Sequence, residues 1–196
     1  FLDLMSTQAS RMQGLVNDLL TLSQLEGSPL PLMTEQFMLS ELMGAAEAEA
    51  KGLSVANSVE GRLTQTLRFE MSQEWRLIGS RHEIYSAVTN LINNAVRYTP
   101  QDGTVTCIWA QLPDQRLQFS VQDTGPGIAP EHLPRLTERF YRVDRSRSRE
   151  TGGTGLGLAI VKHIANRHQA QLLIESLPGS GSTFKLVFPA DRLTSS

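Results

Sequence analysis

Residues 83–123, EIYSAVTNLINNAVRYTPQDGTVTCIWAQLPDQRLQFSVQD, carry the change of hydrophobic period that decides the fold. Ile84, Val88, Leu91, Ile92 and Ala95 recur at helical spacing, which predicts a helix from Arg81 to Tyr98 ended by Pro100. The period then falls to two. Val105, Cys107 and Trp109 alternate on one face, and Leu117, Phe119 and Val121 on another, with Pro113, Asp114 and Gln115 as the turn between two strands. So short a turn joins antiparallel neighbours, because a parallel crossover needs a dozen residues or more. Downstream, a Gly-rich segment leads into a helix from about Gly155 to Arg167 and two final strands, AQLLIESL and STFKLVFP. Upstream, Ser40 is a suitable N-cap for ELMGAAEAEAKG, with Gly52 as its stop, and residues 63–71 and 75–78 read as strands. The expected fold class is α+β, a sandwich of one mixed sheet covered by helices on one face.

The first 26 residues differ from the rest. Leu2, Met5, Ala9, Met12, Val16 and Leu19 keep the 3-4-3-4-3 spacing of a coiled-coil or bundle seam. Leu15, Leu20, Leu22 and Leu25 widen that stripe, which suggests four helices from two chains, although a helix packed on its own domain also fits. Pro29 and Pro31 in EGSPLPLM break the helix, so the expected organisation is a helix over 1–26, a linker over 27–36, a domain over 37–190 and a tail over 191–196.

Composition narrows the class. Hydrophobic residues make up 40% of 196, the formal charge is −2, and the single cysteine, Cys107, has no partner. These values exclude a fibre, a disulfide scaffold and a disordered chain, and they suit a reducing compartment. No apolar run approaches the ~20 residues of a membrane span, and near-neutral charge offers no general field for nucleic acid, so any basic function is local. The start, FLDLMSTQAS, has neither an initiator Met nor a signal-like basic region, and reads as a soluble piece of something longer.

Three segments carry candidate chemistry. On the Arg81–Tyr98 helix, Asn90, Asn94 and Arg97 project together away from the apolar stripe. An amide oxygen suits Mg²⁺ when phosphates supply the charge, and Arg97 and Tyr98 could reach phosphates or cover a base; a solvated helix face has the same pattern. Next, VQDTGPGIAP places Asp123 at the end of a strand expected to be buried, before Gly125 and Gly127. A buried carboxylate needs a partner. It could accept the exocyclic amine of adenine, or simply cap the following turn. Finally, Gly152, Gly153, Gly155 and Gly157 lead into a helix, whose free amides and dipole suit phosphate. Neither the dinucleotide fingerprint nor a Walker loop fits these glycines. Before them, Arg142, Arg145, Arg147 and Arg149 fall within eight residues. They read as a lid over a triphosphate, or as a solvated loop.

Together NLINNAVRYTP, DTGPGIAP, ERFYRVD, GGTGLGLAIVKH and GSGSTFKLVFP resemble, in order, the N, G1, F and G2 boxes and terminal strand motif of bacterial sensor histidine kinases. The ATP-binding domain of that family has the Bergerat (GHKL) fold, and the resemblance spans 37–189. RMQGLVNDLLTLSQLE looks like the second helix of the family's dimerisation and phosphoacceptor hairpin. The resemblance implies ATP and Mg²⁺ as cofactors, with Asn94 on the metal, Asn90 beside it, and Arg97 and Tyr98 on the nucleotide. It implies that Asp123 binds the adenine amine, that Gly125 and Gly127 shape its pocket, and that Thr183 lies near it. Phe140 would anchor the lid and Arg142 would approach the γ-phosphate, while Gly153, Thr154, Gly155, Leu156 and Gly157 wrap the phosphates. It further implies a homodimer through the hairpin, a response-regulator receiver domain as partner, no nucleic-acid partner, and a cytoplasmic domain whose full-length protein is anchored in the inner membrane by upstream segments.

One departure is prominent. The phosphoacceptor His box of the family is absent, and His82, His132, His163 and His168 read as structural or exposed. The sequence therefore looks truncated just after the phosphoacceptor helix, able to bind ATP without phosphorylating itself. Two other classes compete. An ATP-gated clamp of the gyrase B, MutL or Hsp90 kind wants a catalytic Glu where Asn90 stands, and a degenerate binding module would not need Asn94, Asp123 and the G2 glycines intact.

Overall fold

The Ser80 hydroxyl accepts the backbone N–H of Glu83 at 3.4 Å, an N-cap that starts the central helix. That helix, Arg81–Tyr98, ends where Thr99 turns extended ahead of Pro100. The computed structural model describes residues 2–56, 65–143 and 153–195. In chain order the elements are α1 (Leu2–Gly27), β1 (Gln36–Met38), α2 (Leu39–Ala56), β2 (Thr66–Met71), β3 (Trp75–Ile78), α3 (Arg81–Tyr98), β4 (Thr104–Gln111), β5 (Leu117–Asp123), α4 (Gly157–Arg167), β6 (Gln171–Leu177), β7 (Gly181–Phe188) and β8 (Leu193–Ser195).

The main sheet has the order β2-β4-β5-β7-β6. It is mixed: β2 runs parallel to β4 across the α3 crossover, and every other pair is antiparallel. The β4–β5 register sets Cys107 against Val121 and Trp109 against Phe119. The two apolar sets expected on separate faces therefore share one, because paired residues on neighbouring strands point the same way. Trp109 packs on Phe119 and Phe188 with ring centroids 4.8 and 6.0 Å apart. The apolar face of α3, with Ile84, Leu91 and Ile92 almost fully buried, completes this core with α2 and α4. Each such side chain contributes about 1.5–3 kcal/mol of transfer free energy. Cys107 lies in this core, and burial pushes its thiol up to about 12, so it is an inert apolar residue there.

Three expectations need correction. A second sheet, β1-β3-β8, stands beside the main one, and β8 pairs antiparallel with β3. Residues 193–195 are therefore a strand, not a tail. The second helix, α2, starts at Leu39, ahead of Ser40, and runs past Gly52 to Ala56. Gly52 does not stop it because Ser54, two residues on, is buried and donates its hydroxyl to Gln65 Oε1 at 2.9 Å. In α1, Leu22 and Leu25 are buried in the domain's own core, with Leu15 packed at its edge, so they do not widen a bundle seam. Met5, Met12, Val16 and Leu19 remain exposed, as does Leu20. The expected strand start at Leu63, and Gly152, Arg145, Arg147 and Arg149, lie outside the described residues.

Candidate functional site

Asp123 ends β5 with only 5% of its surface exposed. The carboxylate accepts the Gly125 N–H at 2.8 Å and is also bonded by the backbone of Ser182. Burial nonetheless pushes the carboxyl up, and the two backbone bonds pull it back only in part. It opens into a cavity of about 630 Å³, large enough for a nucleotide. A carboxylate kept in such a place, with acceptor capacity left over, suits a ligand that brings N–H donors.

Helix α3 supplies the wall facing that carboxylate. Asn90, Asn94, Arg97 and Tyr98 all line the cavity. Asn90 donates its amide N–H to Ser86 O at 2.8 Å, which leaves its amide oxygen turned toward Gly157. A Cβ at Gly157 would come within 2.7 Å of that oxygen, so glycine at this point lets the Gly-rich loop approach α3. Gly153, Thr154, Gly155 and Gly157 line the cavity from the other side. Leu156 does not: it is fully buried behind the loop, where its N–H donates to Thr154 Oγ1 at 3.2 Å. Gly127, with φ +69, lines the cavity, whereas Gly125 sits behind Asp123. A Cβ on Gly127 would strike Leu177 O at 2.1 Å, so its glycine identity is imposed by both conformation and space.

Arg142 reaches the cavity and donates to Gly153 O, tying the segment after β5 to the Gly-rich loop. Phe140 is 56% exposed with φ 62; its backbone N–H bonds Gly155 O at 2.9 Å, but its ring is outside the cavity. Its role in holding the loop runs through the backbone. Tyr141 does line the cavity, held by a 2.6 Å contact between its hydroxyl and His132 Nδ1 and by the Arg135 guanidinium 4.2 Å from its ring centre. Thr183 does not line this cavity, although the hollow that it borders is shared with Asp123 and Ser182. On β7 it faces a shallow hollow beside Gln122 and Glu175, while its neighbours Ser182 and Phe184 line the cavity. The period of two, phased by the Asp123–Ser182 pair, is the signal that selects Ser182.

Sequence reasoning also missed the contribution of α1. Arg11, Gly14 and Asp18, at helical spacing, line the cavity, and Thr154 donates its hydroxyl to Asp18 Oδ2 at 2.5 Å. Glu49 of α2 is a further lining residue, accepting from the Tyr85 hydroxyl and from Asn93. Of the histidines, His82 is exposed, His132 and His163 are half-buried, and His168 is buried, accepting from Ser80 N at 3.1 Å and bonding Ile164 O at 2.9 Å. Among the described residues no group of three His, Cys, Asp or Glu side chains could by itself hold a metal ion. The cavity fits a cation that is brought in by phosphates and completed by an amide oxygen of α3. No described helix is long and apolar enough to cross a membrane.

Residues 79–192 match the family described as histidine kinase-, DNA gyrase B- and HSP90-like ATPase. The chain is 46% identical over 184 residues to the phosphate regulon sensor protein PhoR of Pseudomonas aeruginosa, covering 94% of this chain but 40% of that protein. In fold it is similar to the Acinetobacter baumannii histidine kinase AdeS, with TM-score 0.74 and 23% identity over 97% of this chain and 84% of that one. It is similar also to full-length ShkA solved in complex with AMPPNP, with TM-score 0.75 and 23% identity over 94% of this chain and 36% of that one.

Proposed function

The chain belongs to the histidine kinase-, DNA gyrase B- and HSP90-like ATPase family, as an ATP-binding domain homologous to those of sensor histidine kinases, and from this premise we propose that it serves phosphoryl transfer in a two-component system. The observation that carries the proposal is the buried Asp123 carboxylate opening into a cavity whose other walls are the α3 amides and a Gly-rich loop. Asp123 would take the adenine amine and exclude guanine, whose carbonyl at the same position offers no proton. Asn94, with Asn90 beside it, would complete the coordination of Mg²⁺, which neutralises phosphate charge when bound. Arg97, Tyr98 and Arg142 would contact the nucleotide, and the amides of Gly153, Thr154, Gly155 and Gly157 would cradle its phosphates. The protein's share in such a reaction is positioning and charge neutralisation, and the acceptor would be a histidine on a hairpin helix outside this sequence.

The likeness to PhoR supports signalling of phosphate starvation, with a response-regulator receiver domain as the next acceptor. Exposed Met5, Met12, Val16 and Leu19 support a homodimer through the hairpin. A cytoplasmic site of action, with a membrane anchor outside this sequence, belongs to the same proposal. Calorimetry with Mg·ATP and Mg·GTP tests the core of it: binding of ATP and not GTP is expected, and no affinity for either at millimolar nucleotide would refute the site. Incubation with γ-labelled ATP should leave the chain unlabelled, and phosphohistidine on any of its four histidines would overturn the assignment of the acceptor.

A further inference from the structure

We propose that Asp18 is a specificity-determining residue of the nucleotide cavity, one that penalises each added phosphate for as long as α1 stays docked on the Gly-rich loop. The inference rests on the ATP-site reading above and goes beyond it by giving α1 a part in nucleotide selection.

The geometry is simple. Arg11, Gly14 and Asp18 form one stripe of α1 that faces the cavity. The Asp18 carboxylate accepts the hydroxyl proton of Thr154, between Gly153 and Gly155, and the same hydroxyl oxygen accepts the Leu156 N–H. The two backbones run close together here, since a Cβ placed on Gly14 would lie in ordinary contact with Thr154 Cγ2, 4.0 Å away. Among the described residues of the Gly-rich loop, the Thr154 hydroxyl is thus committed to a carboxylate that lines the cavity.

Two costs follow when phosphates enter. The hydroxyl cannot serve Asp18 and a phosphate oxygen at once, and the Asp18 charge repels every phosphate charge near it. Arg11, Arg97 and Arg142 line the same cavity and offset part of this field, but none of them removes the contest for the Thr154 proton. Adenosine, which has no phosphate, escapes both costs. Because coupling between two interactions is reciprocal, a triphosphate must also loosen α1 from the domain.

The test is a ladder of ligands. Calorimetry with Mg·ATP, Mg·ADP and adenosine is run on the unaltered chain and on Asp18→Asn, with thermal melts to confirm folding. Asp18→Asn is expected to tighten Mg·ATP by about five- to tenfold, Mg·ADP by less, and adenosine not at all. An equal gain for all three ligands, or no gain for ATP, overturns the proposal. Absence of nucleotide binding by the unaltered chain would instead refute the site reading itself. A second measurement needs no variant: Mg·ATP, and not adenosine, should speed amide hydrogen exchange over residues 11–22 of the unaltered chain. Exchange that is unchanged or slowed by Mg·ATP counts against Asp18 in the same way.

Discussion

Asp123 carries two opposed demands, since the burial that makes it selective for a donor also makes its charge expensive. Its carboxyl is raised from the ordinary 3.8 by burial, against the pull of the Gly125 and Ser182 backbones. A carboxyl raised on folding holds its proton more tightly in the native state than in the unfolded one. Its contribution to stability is therefore full below the ordinary value and is lost as pH rises through the raised one. Asp123→Asn keeps an acceptor for Gly125 N–H and cannot ionise. The variant should melt higher than the unaltered chain at pH 7, with the difference vanishing toward pH 3, while ATP affinity falls about 10- to 100-fold, the worth of a charged hydrogen bond. Melting curves at the two pH values and calorimetry at pH 7 measure both. His168 titrates in the other direction. Burial outweighs the Ile164 carbonyl and Glu83 and lowers the imidazole below 6.5, with Arg167 and Arg192 adding to the shift. The base is depressed on folding, so its contribution is full above 6.5 and is lost as pH falls below that value toward the depressed one. An NMR titration of the imidazole should give a midpoint below 6.5, and a midpoint at or above it would contradict the buried, neutral ring that accepts from Ser80 N.

Arg167 shows how elements are tied together by a single side chain. It sits at the last turn of α4, buried, and forms a two-pronged pair with Glu83 of α3 at 3.0 and 2.9 Å. Its remaining donors reach Leu25 O at 2.9 Å, Ser28 O at 3.1 Å and Pro29 O at 2.8 Å, so the free carbonyls where α1 ends are satisfied from another helix. Arg167→Met removes the cation that pairs with the largely buried Glu83 carboxylate, and the three bonds to those carbonyls. The loss is about 3–5 kcal/mol, a Tm lower by about 6–20 °C for a chain of this size, and Arg167→Met with Glu83→Gln should recover part of it. No recovery in the double variant would show that the carbonyls, not the charge, carry the cost. The same scale explains what could be read in advance. The bounds of α3 and β3 were legible, because period, cap and Pro100 are local. Gly52 misled because the end of α2 is held by Gln65, eleven residues beyond Ser54. The small sheet was hidden because β1, β3 and β8 meet only in space, and Ser182 was not legible because the phase of β7 is set by Asp123 on another strand. The cavity-lining residues of α3, β5 and the Gly-rich loop were legible as local clusters. Those on α1 were not, since nothing near Asp18 in sequence announces Thr154.

In the whole molecule α1 is shared between two jobs on separate stripes. At 100° per residue, the cavity-facing line through Arg11, Gly14 and Asp18, continued by buried Leu22 and Leu25, lies roughly 120° around the helix from Met5, Met12, Val16 and Leu19. Docking on the domain therefore leaves the seam open. The domain holds its end of α1 with the Arg139–Glu26 ion pair, the Arg167 bonds and the two buried leucines, none of which involves the seam. An exposed run of four large apolar side chains on one stripe favours association with another helix, at about 25 cal/mol for each Å² covered. The unaltered chain should accordingly self-associate as its concentration rises, as read by sedimentation equilibrium. Met12→Glu with Leu19→Glu places two charges on the seam, which cannot be buried against a partner helix without a large penalty. That variant should stay monomeric at every concentration while its Tm and Mg·ATP affinity are unchanged, because neither residue touches the core or the cavity. A fall in Tm comparable to that of Arg167→Met would mean that the seam is packed on its own domain in solution, and the separation of the two stripes would be wrong.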